Sequence, residues 1–326
     1  MKLNRRAFVA LTLAVAVPLI APSALAQAWP SKPIRLVVPF PAGGGTDIVA
    51  REVANRATAN TKWVFVMDNK PGSGGNIGID TVAKAPGDGY TIVIGQTSNL
   101  AINPTLYPKL PYDPVKDLTP IVTIGSAPLA IVVAADSPYK TLADVVAAAK
   151  AKPGAINFAT SGNGTVAHLT GELLQREAGV KLTHVPYKGA AQGLTDVIGG
   201  SVQLYLSSIP TLIGQIRAGK IRAIAVTSAQ RVDDLAQVPT VSESGYKGFE
   251  SVTWFGYLGP ANLPKDVVAS LNAEVNKALK AGDLKKKLNE QGLDIIGGTP
   301  EAFTKLIRED IVKWGKVVKD SGAKVD

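Results

Sequence analysis

The sequence predicts an α/β fold built on parallel sheets. Short apolar runs of strand length alternate with segments whose apolar residues recur three and four apart. Turns rich in glycine, serine and asparagine follow directly on several of those runs. The composition, 46% hydrophobic and 19% charged, is that of a chain able to bury a core. At 326 residues there is room for two domains of ordinary size.

The first element is a leader. Lys2, Arg5 and Arg6 form a basic start, 7–20 is apolar, and Ala24-Leu25-Ala26 fits a small-x-small cleavage site. A cleaved signal peptide over 1–26 is therefore expected, with the mature chain starting near Gln27 in an oxidising compartment. The run is short and broken by Pro18 and Pro22, which argues against a membrane anchor. Adjacent Arg5-Arg6 leaves twin-arginine export open beside the general secretory route. Loss of the leader lowers the formal charge from +9 to +6, a balance that attracts small anions but forms no basic block for nucleic acid. With no cysteine, a disulfide framework, a thiolate metal site and a lipid anchor at the cleavage site are all ruled out.

The mature chain opens with a strand at Ile34–Val38 and a helix from Asp47 to about Ala59, joined by Pro39-Phe40-Pro41-Ala42-Gly43-Gly44-Gly45. Bare glycines let backbone come close to a ligand, and a helix start offers free N–H groups and partial positive charge. Thr46 or Asp47 is the expected cap. Neither this turn nor the one at 72–75 carries a P-loop or a clean dinucleotide fingerprint, so the reading is a small-anion cradle beside the bland one of a tight turn. A strand at Trp63–Met67 precedes the second turn, which includes Gly74, and a short helix near 79–84 follows it. The strand Tyr90–Ile94 opens onto Gln96-Thr97-Ser98-Asn99, and 104–120 reads as proline-rich and irregular.

A second series supplies strands at 121–124, 129–134, 156–159, 183–185, 202–206 and 221–226. Helices fall at 141–151 (Thr141 as cap), 166–178, 191–198 and 212–218. The stretch 239–259 reads as turn-rich and aromatic, and the tail as helices over 264–280 and 300–319, each started by proline. Open parallel sheets bind ligands at the carboxyl ends of their strands, which is where the glycine turns, Ser98-Asn99 and the turn Ser161 to Thr165 all fall.

Enzyme chemistry finds little support. His168 and Glu172 read as an i,i+4 pair on a helix face, and His184 as structural. Two histidines without a third clustered ligand do not make a zinc site, so no metal and no cofactor are expected. Ser161 has no evident base and there is no Gly-x-Ser-x-Gly elbow. Tyr187-Lys188 could bring a hydroxyl and an ammonium to a cleft, and Trp254-Phe255 reads as packing. Two classes remain: a ligand-binding receptor without chemistry, and an exported hydrolase or lyase using the glycine loops as an oxyanion site.

Several motifs together resemble one family. Pro-Phe-Pro-Ala-Gly-Gly-Gly-Thr-Asp-Ile-Val-Ala-Arg at 39–51, Asn-Lys-Pro-Gly-Ser-Gly-Gly-Asn-Ile-Gly at 69–78, Pro-Tyr-Asp-Pro-Val-Lys-Asp-Leu-Thr-Pro at 111–120, Ser-Gly-Asn-Gly-Thr-Val-Ala-His at 161–168 and His-Val-Pro-Tyr-Lys-Gly at 184–189 look like the tripartite tricarboxylate transporter substrate-binding proteins, also called the Bug family. The resemblance implies a two-lobed periplasmic binding protein of type II, with 27–125 plus 249–326 as one lobe and 126–248 as the other. It implies a monomer that holds a small organic carboxylate between the lobes and docks on an integral-membrane permease. The residues it points to are Phe40, Ala42, Gly43, Gly44, Asp47, Gly74, Ser98 and Asn99 in the first lobe, with Ser161, Thr165, Tyr187 and Ser207 in the second. Where such proteins are expected to carry an acid near position 207, this chain has Ser207, and Gln203 also stands where an acid is common. A serine cannot neutralise a ligand ammonium, so the expected ligand bears no positive charge. Low aromatic content (6%) tilts toward aliphatic acids, although Phe40, Tyr187 and Tyr205 could sandwich a ring.

Overall fold

A computed structural model describes residues 29–325; the leader expected over 1–26 lies outside them. Strand β1 (Ile34–Val38) pairs in parallel with β2 (Phe65–Asn69) on one side and β3 (Thr91–Gln96) on the other. Side chains alternate between faces along a strand. Accordingly Leu36 enters the core beneath helix α1 (Gly45–Thr61), while Val37 enters the core on the opposite face with Ile79 of α2 (Asn76–Ala83). Both faces are covered, which is why β1 is apolar apart from Arg35, whose Nε donates to Asp68 of β2 at 2.8 Å.

A second parallel set consists of β5 (Asn157–Thr160) with β6 (Thr183–Pro186) and β7 (Leu204–Ser208). The expectation of parallel sheets needs correcting where the two sets join. Strand β4 (Leu118–Ala134) is a single 17-residue strand, and all its pairings are antiparallel. Its first part pairs with β9 (Val252–Pro260), as far as Pro128 opposite Val252; its last part pairs with β7 and with β8 (Ile221–Val226). Strand β9 also pairs with β3. The spatial order is therefore β2-β1-β3-β9-β4-β7-β5-β6, a mixed sheet that curls through β4.

The structure resolves two further differences from the sequence reading. Pro120 and Pro128 lie inside β4, which the sequence breaks into an irregular stretch and two strands. Pro120 stands beside a register shift and Pro128 where the strand changes partners, the places where a missing N–H is tolerated. Of the stretch 239–259 read as turn-rich, 239–251 does consist largely of turns, but from Val252 on it is β9, buried on both faces. Its Gly256 is required by packing: a Cβ there would lie 2.3 Å from the ring of Phe303 in α10 (Pro300–Ser321). Trp254 is indeed packing, its indole N–H donating to Asp310 at 2.6 Å and its ring meeting Phe303 edge-on.

The remaining helices are α3 (Asn103–Leu106), α4 (Leu142–Ala151), α5 (Val166–Ala178), α6 (Ala190–Ile198), α7 (Ile209–Arg217), α8 (Lys265–Lys280) and α9 (Gly282–Asn289). A two-residue strand β10 (Asp294–Ile295) adds to β4. The Thr141 cap of α4 forms, reciprocated by Asp144 as a capping box. Helix α1 begins earlier than expected: Gly44 is its cap, without a side-chain bond, and Asp47 falls inside its first turn. No helix among the described residues is long and apolar enough to cross a membrane.

Candidate functional site

Between the two parallel sets lies a cavity of about 50 Å³. Its lining comes from turns that follow strands of both sets: Phe40, Pro41 and Gly44–Thr46 after β1, Ser161 and Thr165–Ala167 after β5, Gly189 and Ala190 after β6, Ser207, Ser208 and Thr211 at the end of β7. Gln96 of β3, Leu129 of β4 and Thr253 of β9 complete it. Phe40, Pro41 and Ser161 also border a wider adjoining space of about 480 Å³, whose walls include Gly72–Gly75, Tyr107, Asn163, Tyr187 and Lys188.

Four helices start at the inner cavity. Gly44 caps α1, Thr165 caps α5, Gly189 caps α6 and Ser208 caps α7. Only Thr165 satisfies a backbone donor with its own side chain, accepting from the His168 N–H. The other three starts carry no side-chain cap, so their first N–H groups face the cavity end of the helix. Each start also contributes partial positive charge. Among the described lining residues none is charged; hydroxyls of Thr46, Ser161, Thr165, Ser207, Ser208, Thr211 and Thr253 and the Gln96 amide supply the polar groups. Such a wall donates hydrogen bonds to an anion from neutral dipoles and offers no carboxylate to a cation.

The two sides touch. The Gly45 N–H donates to Thr211 Oγ1 at 2.9 Å, and a Cβ at Gly45 would stand 2.7 Å from Ser208 Oγ. A Cβ at Gly189 would meet the Pro41 ring at 2.7 Å. Glycine stands at both positions because backbone there meets the opposite side.

The residues singled out from the sequence fall into three groups. Phe40, Gly44, Ser161, Thr165 and Ser207 line the inner cavity. Gly74 and Tyr187 line the outer space with Phe40 and Ser161. Ala42, Gly43, Asp47, Ser98 and Asn99 line neither. Ala42 and Gly43 are on the exposed crest of the turn. Asp47 is 3% exposed and engaged: it accepts from the Gly43 N–H at 3.0 Å, Arg51 Nε at 2.9 Å and Asn69 Nδ2 at 2.9 Å. Burial alone would raise its carboxyl, but those bonds outweigh burial and hold it below the usual carboxylate range. Asn69 Nδ2 also donates to the Phe40 carbonyl at 2.9 Å, so Asp47 acts on the turn by fixing its backbone. Ser98 and Asn99 sit in a turn of π-helix (Ser98–Ile102) that rolls them into the core. Asn99 Oδ1 accepts there from the Gln96 N–H, and its carbonyl from Tyr112.

The sequence reading does not name Gly45, Thr46, Gln96, Gly189, Ser208, Thr211 or Thr253 as ligand-binding. A signal existed for two of them: Pro210 marks a helix start, which makes Ser208 a cap and puts Thr211 in the first turn. Tyr205, weighed as a ring wall, is fully buried and lines neither space.

Behind the second-side turn the two histidines stack face to face, ring centres 4.2 Å apart and planes 11° from parallel, with Phe158 on the far face of His184. His168 Nδ1 accepts from the Gly164 N–H and His184 Nε2 pairs with Thr160 Oγ1 at 2.7 Å. Burial lowers His168 to about 4; burial and then the neighbouring imidazole lower His184 to about 3. Glu172, 3.8 Å from His168, is pushed up by burial, so this i,i+4 contact joins two groups driven toward neutrality. Among the described residues no group of three or more His, Cys, Asp or Glu is placed to hold a metal.

Two parallel α/β halves joined by antiparallel crossing strands, with a ligand-sized gap at the carboxyl ends of their strands, define a solute receptor of the periplasmic-binding-protein class. Within that class the chain belongs to the family described as tripartite tricarboxylate transporter family receptor, which matches residues 49–323. Among curated proteins it is 40% identical over 293 residues to a UPF0065 protein in the tcbD-tcbE intergenic region of Pseudomonas sp. strain P51, covering 90% of this chain and 87% of that one. It is 34% identical over 307 residues to BugT of Bordetella pertussis, 94% of each chain. Among solved structures, R. palustris Rpa4515 with adipate superposes with a TM-score of 0.88 at 37% identity, covering 91% of this chain and all of that one.

Proposed function

We propose that this chain is an exported receptor that captures a small organic carboxylate without positive charge and delivers it to the integral-membrane permease of a tripartite tricarboxylate-type transporter. The observation that carries the reading is the convergence of four helix N-termini on a cavity whose described lining holds no charged side chain. Receipt of adipate by Rpa4515 supports it. In this reading Phe40, Gly44, Ser161, Thr165 and Ser207 surround the carboxylate, joined by Gly45, Gly189, Ser208 and Thr211. The lobes divide as 27–125 with 249–326 and 126–248. The leader over 1–26 is cleaved and the mature monomer works in the periplasm. The receptor returns its ligand unchanged, since no imidazole or carboxylate base stands among the described lining residues to activate the cavity hydroxyls.

A thermal-shift panel of di- and tricarboxylates, aromatic carboxylates and amino acids tests the reading. Ligand at a hundred times its Kd stabilises by about 2.7 kcal/mol, a rise easily read in Tm. Butanedioate-like acids are expected to shift the melt and aspartate or glutamate to leave it in place. Ser207→Asp is expected to weaken the acids at least tenfold (about 1.4 kcal/mol) by placing an internal carboxylate before the same helix starts. A shift with aspartate and none with its deaminated analogue would overturn the charge argument.

A further inference from the structure

The inner cavity leaves the larger adjoining space unassigned. That space, about 480 Å³, meets the cavity at Phe40, Pro41 and Ser161. Three rings stand in its wall, Phe40 and Tyr107 from the first side and Tyr187 from the second. Each ring is held in place. A Cβ at Gly75 would lie 3.2 Å from the Phe40 ring, so the glycine turn, at φ +93° here, backs that ring closely. A Cβ at Gly164 would lie 3.1 Å from the ring of Tyr107. The Tyr187 hydroxyl donates to Asp196 Oδ2 at 2.6 Å. Burial and that carboxylate push the Tyr187 hydroxyl up to about 12. It therefore stays protonated and engaged with Asp196. Lys188 is exposed and is the single charged side chain among the described residues of this wall.

We propose, resting on the carboxylate reading above, that the outer space is a second subsite: it takes the aromatic ring of an acid whose carboxylate enters the inner cavity, and Lys188 meets a second anionic group beyond the ring. Aromatic faces favour another flat ring in offset or edge contact over a flexible chain, which gains less per atom and loses more rotamer freedom. The two ends of the site differ in the same sense. The inner end offers an anion neutral dipoles in a small volume, and the outer end offers a hydrated point charge. A short aliphatic diacid filling only the inner cavity would leave the rings and Lys188 untouched, whereas a ring with anions at opposite ends uses both.

Calorimetric titration of the full chain with benzoate, benzene-1,4-dicarboxylate and butanedioate tests this. Benzene-1,4-dicarboxylate is expected to bind about tenfold more tightly than benzoate, the size of one charge-assisted contact. Lys188→Gln, at an exposed position, is expected to bring that ratio close to one, and Tyr187→Leu to weaken both aromatic acids more than butanedioate. Equal affinity of the two aromatic acids for the unaltered chain, or a ratio that survives Lys188→Gln, overturns the proposal. Tight butanedioate binding with neither aromatic acid bound overturns the subsite and leaves the carboxylate reading standing. Binding of none of the three overturns the subsite as well, and the wider acid panel then decides the carboxylate reading on its own.

Discussion

Two neutral imidazoles stacked beneath the turn that carries Ser161 and Thr165 make that turn sensitive to acid. His168 Nδ1 is an acceptor for the Gly164 N–H, so a proton arriving there removes the bond that holds the backbone. A proton on either ring also puts a cation against its neighbour 4.2 Å away. Both groups lie lower in the folded chain, at about 4 and about 3, than the usual value near 6.5 in an unfolded one. The unfolded state therefore binds more protons through this range. The stability is full at pH 7, begins to fall as pH drops through about 6.5, and goes on falling until the folded values are reached. Asp47 acts in the same direction at lower pH, because its lowered carboxyl gives stability that protonation removes. The expected loss from the histidine pair between pH 7 and 4.5 is on the order of several kcal/mol. Urea unfolding at the two pH values measures it, and the double variant His168→Gln, His184→Gln is expected to show a flatter dependence. Parallel profiles for the two proteins would show that the pair does not titrate as its burial requires.

At the scale of elements, β9 depends on a residue without a side chain. Gly256 faces Phe303 of α10, and a Cβ there would also stand 2.8 Å from the Val122 carbonyl of β4. Neither neighbour is a flexible tip, so Gly256→Ala is expected to cost about 3 kcal/mol, at the upper end of overpacking. A shift of the urea midpoint reads it, and Phe303→Leu in the same chain is expected to recover part of the loss. The same crowding explains what the sequence conceals. Strands that alternate with helices on a doubly covered parallel sheet, such as β1 and β3, announce themselves as apolar runs. In β9 the glycines and in β4 the prolines look like turn signals, although they serve close packing and changes of partner. Helix starts were harder to place than helices, and they decide the site. Gly44 caps α1 through backbone alone, and Gly189 leads into α6 with no side-chain bond to mark it. The glycine and serine turns after β1, β2 and β5 are legible because their composition is unusual directly after a strand. Ser98 and Asn99 looked equivalent, but the π-helical turn carries them into the core, and no local pattern distinguishes that turn from an open loop.

At the scale of the whole molecule, the proposed lobes are joined where β4 changes partners near Pro128 and where the chain enters β9 at Val252. These two crossing strands are the proposed hinge, and a ligand that contacts both sides would favour the closed arrangement. The described contacts show what closing must satisfy. The α1 start and the first turn of α7 come together at Gly45 and Thr211, where a methyl group on Gly45 would stand 2.7 Å from Ser208 Oγ and 2.8 Å from Thr211 Oγ1, so that both hydroxyls would have to turn away. Gly45→Ala is therefore expected to weaken closure by displacing both hydroxyls, and Thr211→Val to weaken it by removing the acceptor of the Gly45 N–H, about 1 kcal/mol. Gly214→Ala, also on α7 but with open space around it, serves as the control for a substitution without a clash. Small-angle scattering at saturating concentrations of the acid that gives the largest thermal shift is the measurement. The unaltered chain and the Gly214→Ala variant are expected to contract on binding, and Gly45→Ala to contract less with ligand present. If the unaltered chain gave one profile with and without acid, closure about β4 and β9 would have to be abandoned as the way this receptor retains its ligand; if Gly45→Ala contracted as fully as the control, the contact at Gly45 and Thr211 would lose its part in setting the closed arrangement.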